Sequence, residues 1–83
     1  MDIGQRVRQF ITSNFYVADA ASLTNEMSLL DQGIVDSTGV LEVIAFLEGE
    51  FGLHVADEEM LPDNLDSIDK IAAFVKRKQG PGT

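Results

Sequence analysis

The chain contains no cysteine, which excludes disulfide staples, thiolate metal sites and a side-chain thiol nucleophile together. Any thiol chemistry must come from outside the polypeptide. Long apolar runs are missing too: nothing approaches the roughly 20 residues needed to cross a bilayer. Residues 1–14 alternate charged and apolar side chains where a secretory signal would carry about 7 to 15 apolar ones in succession. The expectation is a soluble, cytoplasmic protein without membrane insertion. Cations are scarce, with six Lys/Arg against fourteen Asp/Glu and a net charge of −8. Such a chain is repelled by the phosphate backbone, so nucleic acid is not an expected partner. What is present is a globular composition, 45% hydrophobic and 24% charged over 83 residues. That suits one small domain without internal repeats.

The charge is unevenly placed. Residues 19–66 hold twelve Asp/Glu and no Lys or Arg, whereas residues 1–18 sum to +1 and residues 67–83 to +3. Such a stretch reads either as a solvated face that aids solubility or as a surface that steers basic partners.

Hydrophobic spacing predicts helices. Ile3, Val7, Phe10 and Ile11 share one face of a helix over about 3–14, with Asp2 and Gln5 set as a capping box. Val40, Val43, Ile44, Leu47 and Phe51 form a second stripe over about 37–51, with Asp36 or Ser37 as its cap and Gly52 as its stop. Ile68, Ile71, Ala72 and Val75 mark the last helix, whose final turn carries Lys76, Arg77 and Lys78 where a helix dipole favours cations. A short helical turn is expected at 57–61, ended by Pro62. Residues 16–36 show little periodicity and must be held by packing, through Leu23, Met27, Leu29, Leu30 and Ile34. Residues 79–83 have the composition of a flexible C-terminal tail, leaving 1–78 as the domain. The expected fold is all-α, a small four-helix bundle of three main helices plus one short one, with a long first loop.

Few side chains suggest chemistry. Asp31 and Glu42 are spaced like the first and last ligands of a calcium loop. Gly33 and Val35 nevertheless stand where oxygen ligands are needed, and Asp36 where the turn needs glycine, so no metal site is expected. A hydrolase would pair Ser37 with a base. The lone His54 lies beyond the far end of the second helix, and Val35 replaces the first glycine of a nucleophile elbow. Ser37 itself falls at a helix N-terminus, where unpaired N–H groups and the positive dipole end favour a negatively charged substituent such as a phosphodiester. Helix rules alone also fit a plain N-cap.

The strings Leu30-Asp31-Gln32-Gly33-Ile34-Val35-Asp36-Ser37, Val40-Leu41-Glu42-Val43-Ile44 and Leu47-Glu48-Gly49-Glu50-Phe51-Gly52 resemble the acyl carrier and peptidyl carrier protein family. The likeness continues through Asp57-Glu58-Glu59 and Asn64-Leu65-Asp66-Ser67-Ile68, covering about residues 29–75. The first helix matches by pattern only. The resemblance implies a four-helix bundle with a long first loop. It implies 4′-phosphopantetheine attached to Ser37, with Asp36 assisting the modifying transferase and its metal. It also implies that the missing thiol sits at the tip of that arm and that the protein is not itself an enzyme. The implied partners are a phosphopantetheinyl transferase, an acyl or amino-acid ligase, and acyl-transfer enzymes with basic docking patches, which the chain would meet as a monomer.

At about 100° per residue, the second helix turns Thr38, Gly39, Leu41, Glu42, Ala45, Glu48 and Gly49 away from its apolar stripe. Glu42 and Glu48 are the expected charged partner contacts and Leu41 the apolar one, flanked by Thr38 and Ala45. Exposed ion pairs are worth about 0.2–1 kcal/mol each, which suits a shuttle. Thr38 and Gly39 depart from fatty-acid carriers, where Leu and often Asp follow the serine. Asp36-Ser37-Thr38-Gly39 looks more like D-alanyl and other stand-alone carriers, which tilts the implied cargo toward aminoacyl or short acyl groups. The alternative is a non-carrier acidic helical interaction module that does not depend on Ser37.

Overall fold

The computed structural model describes residues 2–17 and 19–79. Among these, all regular elements are helical. α1 (Ile3–Asn14) starts where the Asp2 carboxylate accepts the Gln5 N–H at 2.7 Å. α2 (Ser37–Phe51) starts at Asp36 and ends at Gly52, which adopts φ 65° and donates its N–H to the Glu48 carbonyl at 3.1 Å. Only glycine takes that left-handed conformation without a Cβ penalty. α3 (Pro62–Leu65) is a single turn, and α4 (Ile68–Gln79) opens with the Ser67 hydroxyl accepting the Lys70 N–H at 3.0 Å. Gln79 therefore ends α4, and the rest of the expected tail lies outside the described residues.

The short element differs from expectation. Residues 57–59 form a 3-10 turn, and α3 follows with Pro62 as its first helical residue. At that position the missing N–H would have had no helical partner, and the fixed φ suits the helix. The expected turn is therefore present, but shorter, and Pro62 does not close it: it opens a further element, α3.

One core joins the elements. α1 supplies Val7 and Ile11, α2 supplies Val43, Ile44 and Leu47, and α4 supplies Ile68, Ile71, Phe74 and Val75. Leu65 of α3 and Val55 of the preceding link complete it. Each fully buried Leu, Ile, Val or Phe contributes about 1.5–3 kcal/mol. Phe74 rather than Ala72 fills the α4 face: it lies three residues beyond Ile71, while Ala72 is only half-buried. The first loop packs through Leu23, Leu29 and Val35. Met27 and Ile34 are half-buried, and Leu30 stays 39% exposed instead of anchoring the loop.

Polar ties fix the loop and the ends. Arg8 donates to the Ala20 carbonyl at 2.6 Å, and the Asn25 carbonyl accepts the Asp69 N–H at 2.9 Å. Asp19 accepts the Ser22 hydroxyl and the Ala21 N–H, which hold its carboxyl below the usual range. Lys78 Nζ bridges both oxygens of Glu59 at 2.8 and 3.0 Å, and that bond, with the Ala56 N–H, lowers the Glu59 carboxyl likewise. On the α1–α2 seam Phe10 stacks on Phe46 at 4.2 Å, with Phe15 and Phe51 edge-on at either side. α1 packs beside α4, so the two helices that carry all six Lys/Arg are neighbours. Among the described residues no helix is long and apolar enough to cross a membrane.

Candidate functional site at the start of the second helix

The Asp36 carboxylate accepts the Gly39 N–H at 2.7 Å and is the N-cap of α2. Ser37 is the first helical residue and is exposed. Among the described residues no hydrogen-bond partner engages its hydroxyl. The two roles that the sequence left open between these residues are thereby separated. Asp36 satisfies the helix start, and Ser37 presents its oxygen to solvent at the positive end of the α2 dipole.

A cleft of about 340 Å³ opens beside Ser37. Its walls are mostly apolar: Leu30 from the first loop, Val40 and Leu41 from α2, and Met60, Leu61 and Leu65 from the other side. Among the described residues, the exposed large aliphatic side chains are Leu30, Leu41 and Leu61, at 39%, 59% and 50% exposure, and all three line this one cleft. Sequence reasoning picked out Leu41 alone as the apolar contact. Leu61 carries a readable signal, an apolar residue just before a proline, but nothing local to it shows that it faces Ser37.

Thr38, Leu41, Glu42 and Ala45 are exposed on α2. Glu48 is half-buried: its Oε2 accepts the Val55 N–H at 3.0 Å and lies 3.5 Å from His54 Nδ1, so it also holds the chain that leaves the helix. Gly39 is not outward-facing. It is buried, and a Cβ there would stand 2.8 Å from Cε1 of Phe15 and 3.2 Å from Asp36 Oδ1 and Val35 Cγ1. A helical wheel centred on the α2 stripe misses this because Phe15 approaches from α1 across the first turn. Gly39→Leu should cost about 1–3 kcal/mol through overpacking. Gly49→Ala, at a site with nothing within 4 Å, should gain about 0.5–1 kcal/mol in helix propensity. Urea midpoints of the two variants check the contrast.

Among the described residues no group of three or more His, Asp or Glu is placed to hold a metal ion. The turn leading into the site is tightly bonded. The Leu29 carbonyl accepts the N–H groups of Ile34 and Val35 at 3.0 and 3.2 Å, and Gly33 takes φ 71° to close it.

No family model matches the chain. It is similar to an acyl carrier protein of Solidesulfovibrio magneticus, 26% identical over 80 residues, which span 96% of this chain and 99% of that one. An acyl carrier protein of Lactobacillus acidophilus is 28% identical over 79 residues, 95% of each chain. A D-alanyl carrier protein of Abiotrophia defectiva is 30% identical over 53 residues, 64% of this chain and 67% of that one. With a helical bundle, a capped second helix and an exposed serine at its first turn, the chain belongs to the carrier-protein family of these acyl and D-alanyl carriers.

Proposed function

We propose that this protein is a discrete, cytoplasmic acyl or aminoacyl carrier modified with 4′-phosphopantetheine on Ser37. The observation that carries the reading is the exposed Ser37 hydroxyl on a helix whose start is already capped by Asp36. The residues fit the group. Its phosphate would join Ser37 Oγ as a diester at the positive end of α2, where the dipole favours negative charge, and the open cleft lies next to that oxygen. When bound, the arm supplies the thiol that this cysteine-free chain lacks, on which a carboxylic acid is carried as a thioester. The chain's own residues perform no bond-making beyond offering the hydroxyl. Asp36 keeps one carboxylate oxygen on the Gly39 N–H and has the other for the metal of the transferase.

Thr38, Leu41, Glu42 and Ala45 offer a small acidic face with one exposed leucine to basic patches on the transferase, a ligase and downstream acyl-transfer enzymes. Glu48 adds charge at the far end of that face while bound to Val55. The cargo is aminoacyl or short acyl. That reading is supported by Asp36-Ser37-Thr38-Gly39 and by the D-alanyl carrier among the relatives. The buried Gly39 adds to it, since this first turn has no room for the aspartate frequent in fatty-acid carriers.

Incubation with coenzyme A, magnesium and a broad-specificity phosphopantetheinyl transferase tests the proposal. Intact-protein mass spectrometry should show one phosphopantetheine adduct, and peptide mapping should place it on Ser37. An unmodified chain, or an adduct elsewhere, would overturn it and leave an interaction module that works without Ser37.

A further inference from the structure

Asp66 sits between α3 and α4, far in sequence from Ser37, yet three of its oxygens hold the loop that leads to that serine. Its carbonyl accepts the Leu29 N–H at 2.7 Å, Oδ1 accepts the Leu30 N–H at 3.0 Å and Oδ2 accepts the Ser28 hydroxyl at 2.6 Å. The Ser28 hydroxyl in turn accepts the Asp31 N–H at 3.1 Å. The Leu29 carbonyl then takes the N–H groups of Ile34 and Val35, the last residues before Asp36. Hydrogen bonds thus run from Asp66 through Leu29 to Val35, the residue before the α2 cap. Asp66 also lines the cleft beside Ser37, and the residue it fixes, Leu30, lines that cleft as well. A half-buried carboxylate with this many directed acceptor bonds is a strong geometric restraint.

Resting on the carrier reading above, we propose that Asp66 is a positioning residue for the Ser37 site. It locks residues 28–35 into the shape that the modifying transferase reads next to the serine, and it sets the Leu30 wall of the cleft. Ser28 is its counterpart on the loop. Neither touches the reacting atoms, so loss of either should weaken recognition and spare the chemical step.

The test is the kinetics of Ser37 modification by one transferase, with wild type, Ser28→Ala, Asp66→Asn and Asp66→Ala as substrates, joined to amide hydrogen exchange. Asp66→Ala and Ser28→Ala should raise KM for the carrier about fivefold or more, the scale of one net hydrogen bond, with kcat held within about twofold. Exchange should accelerate at Leu29, Leu30, Asp31 and Val35 while amides of α1 and α4 stay protected. Asp66→Asn, which keeps an acceptor for the Leu30 N–H, should fall between them and wild type. It and Ser28→Ala also decide the matter should Asp66→Ala not fold. Unchanged KM in folded variants, or exchange that rises evenly across the whole domain, would overturn the inference and leave the carrier reading intact. A wild-type chain that accepts no arm would overturn both.

Discussion

Ser37→Ala should accept no phosphopantetheine under conditions that convert the wild type, while its folding free energy stays within about 0.5 kcal/mol of the parent. The serine is exposed, and no hydrogen bond among the described residues depends on its hydroxyl. Asp36→Ala should behave in the opposite way. It removes the acceptor for the Gly39 N–H and should cost about 1 kcal/mol, the usual worth of an N-cap, yet still take up some arm because the nucleophile remains. Intact mass and urea melts of the two variants measure both quantities. A Ser37→Ala chain as destabilised as Asp36→Ala would mean that the hydroxyl helps cap α2, and the separation of roles drawn above would be wrong.

Phe74→Ala should be the most damaging single truncation, lowering stability by about 3–5 kcal/mol. Phe74 is 2% exposed and among the largest fully enclosed side chains, with the Arg77 guanidinium 5.8 Å from its ring centroid on the outer side. It lies on α4, against which both α1 and α3 pack, so the void would open in the helix that joins them. Domains of this class have only about 5–15 kcal/mol of net stability, and the variant should lose most of its helical circular dichroism at temperatures the wild type withstands. Ala73→Ser, one residue away and exposed, should change stability by less than about 0.5 kcal/mol. A Phe74→Ala melt close to wild type would show that the core does not hinge on α4.

The helices that begin and end with a local signal are legible in the sequence. Asp2 and Asp36 cap α1 and α2 as their spacing suggests, and Gly52 stops α2. Ser37 stands out in the sequence because its neighbours extend a family motif, and the helix start predicted there is where the structure exposes it. Features set by distant partners are not legible. Gly39 is enclosed by Phe15 from beyond α1 together with its own neighbours Val35 and Asp36. Leu30 is exposed where its N–H is held by Asp66, 36 residues away, a contact no local pattern announces. Pro62 was ambiguous in principle, since the same ring that ends one helix begins another.

Every lysine and arginine lies on the adjoining α1 and α4, and although Arg6 pairs with Glu50 and Lys78 with Glu59, the span from residue 19 to residue 66 contains no cation of its own to offset its twelve acids. On the carrier reading, a basic partner would feel that uneven field, and turn in it, before contact. The rotational search of such a partner would then be biased toward the acidic span, with the basic helices turned away, even when each encounter lasts only briefly.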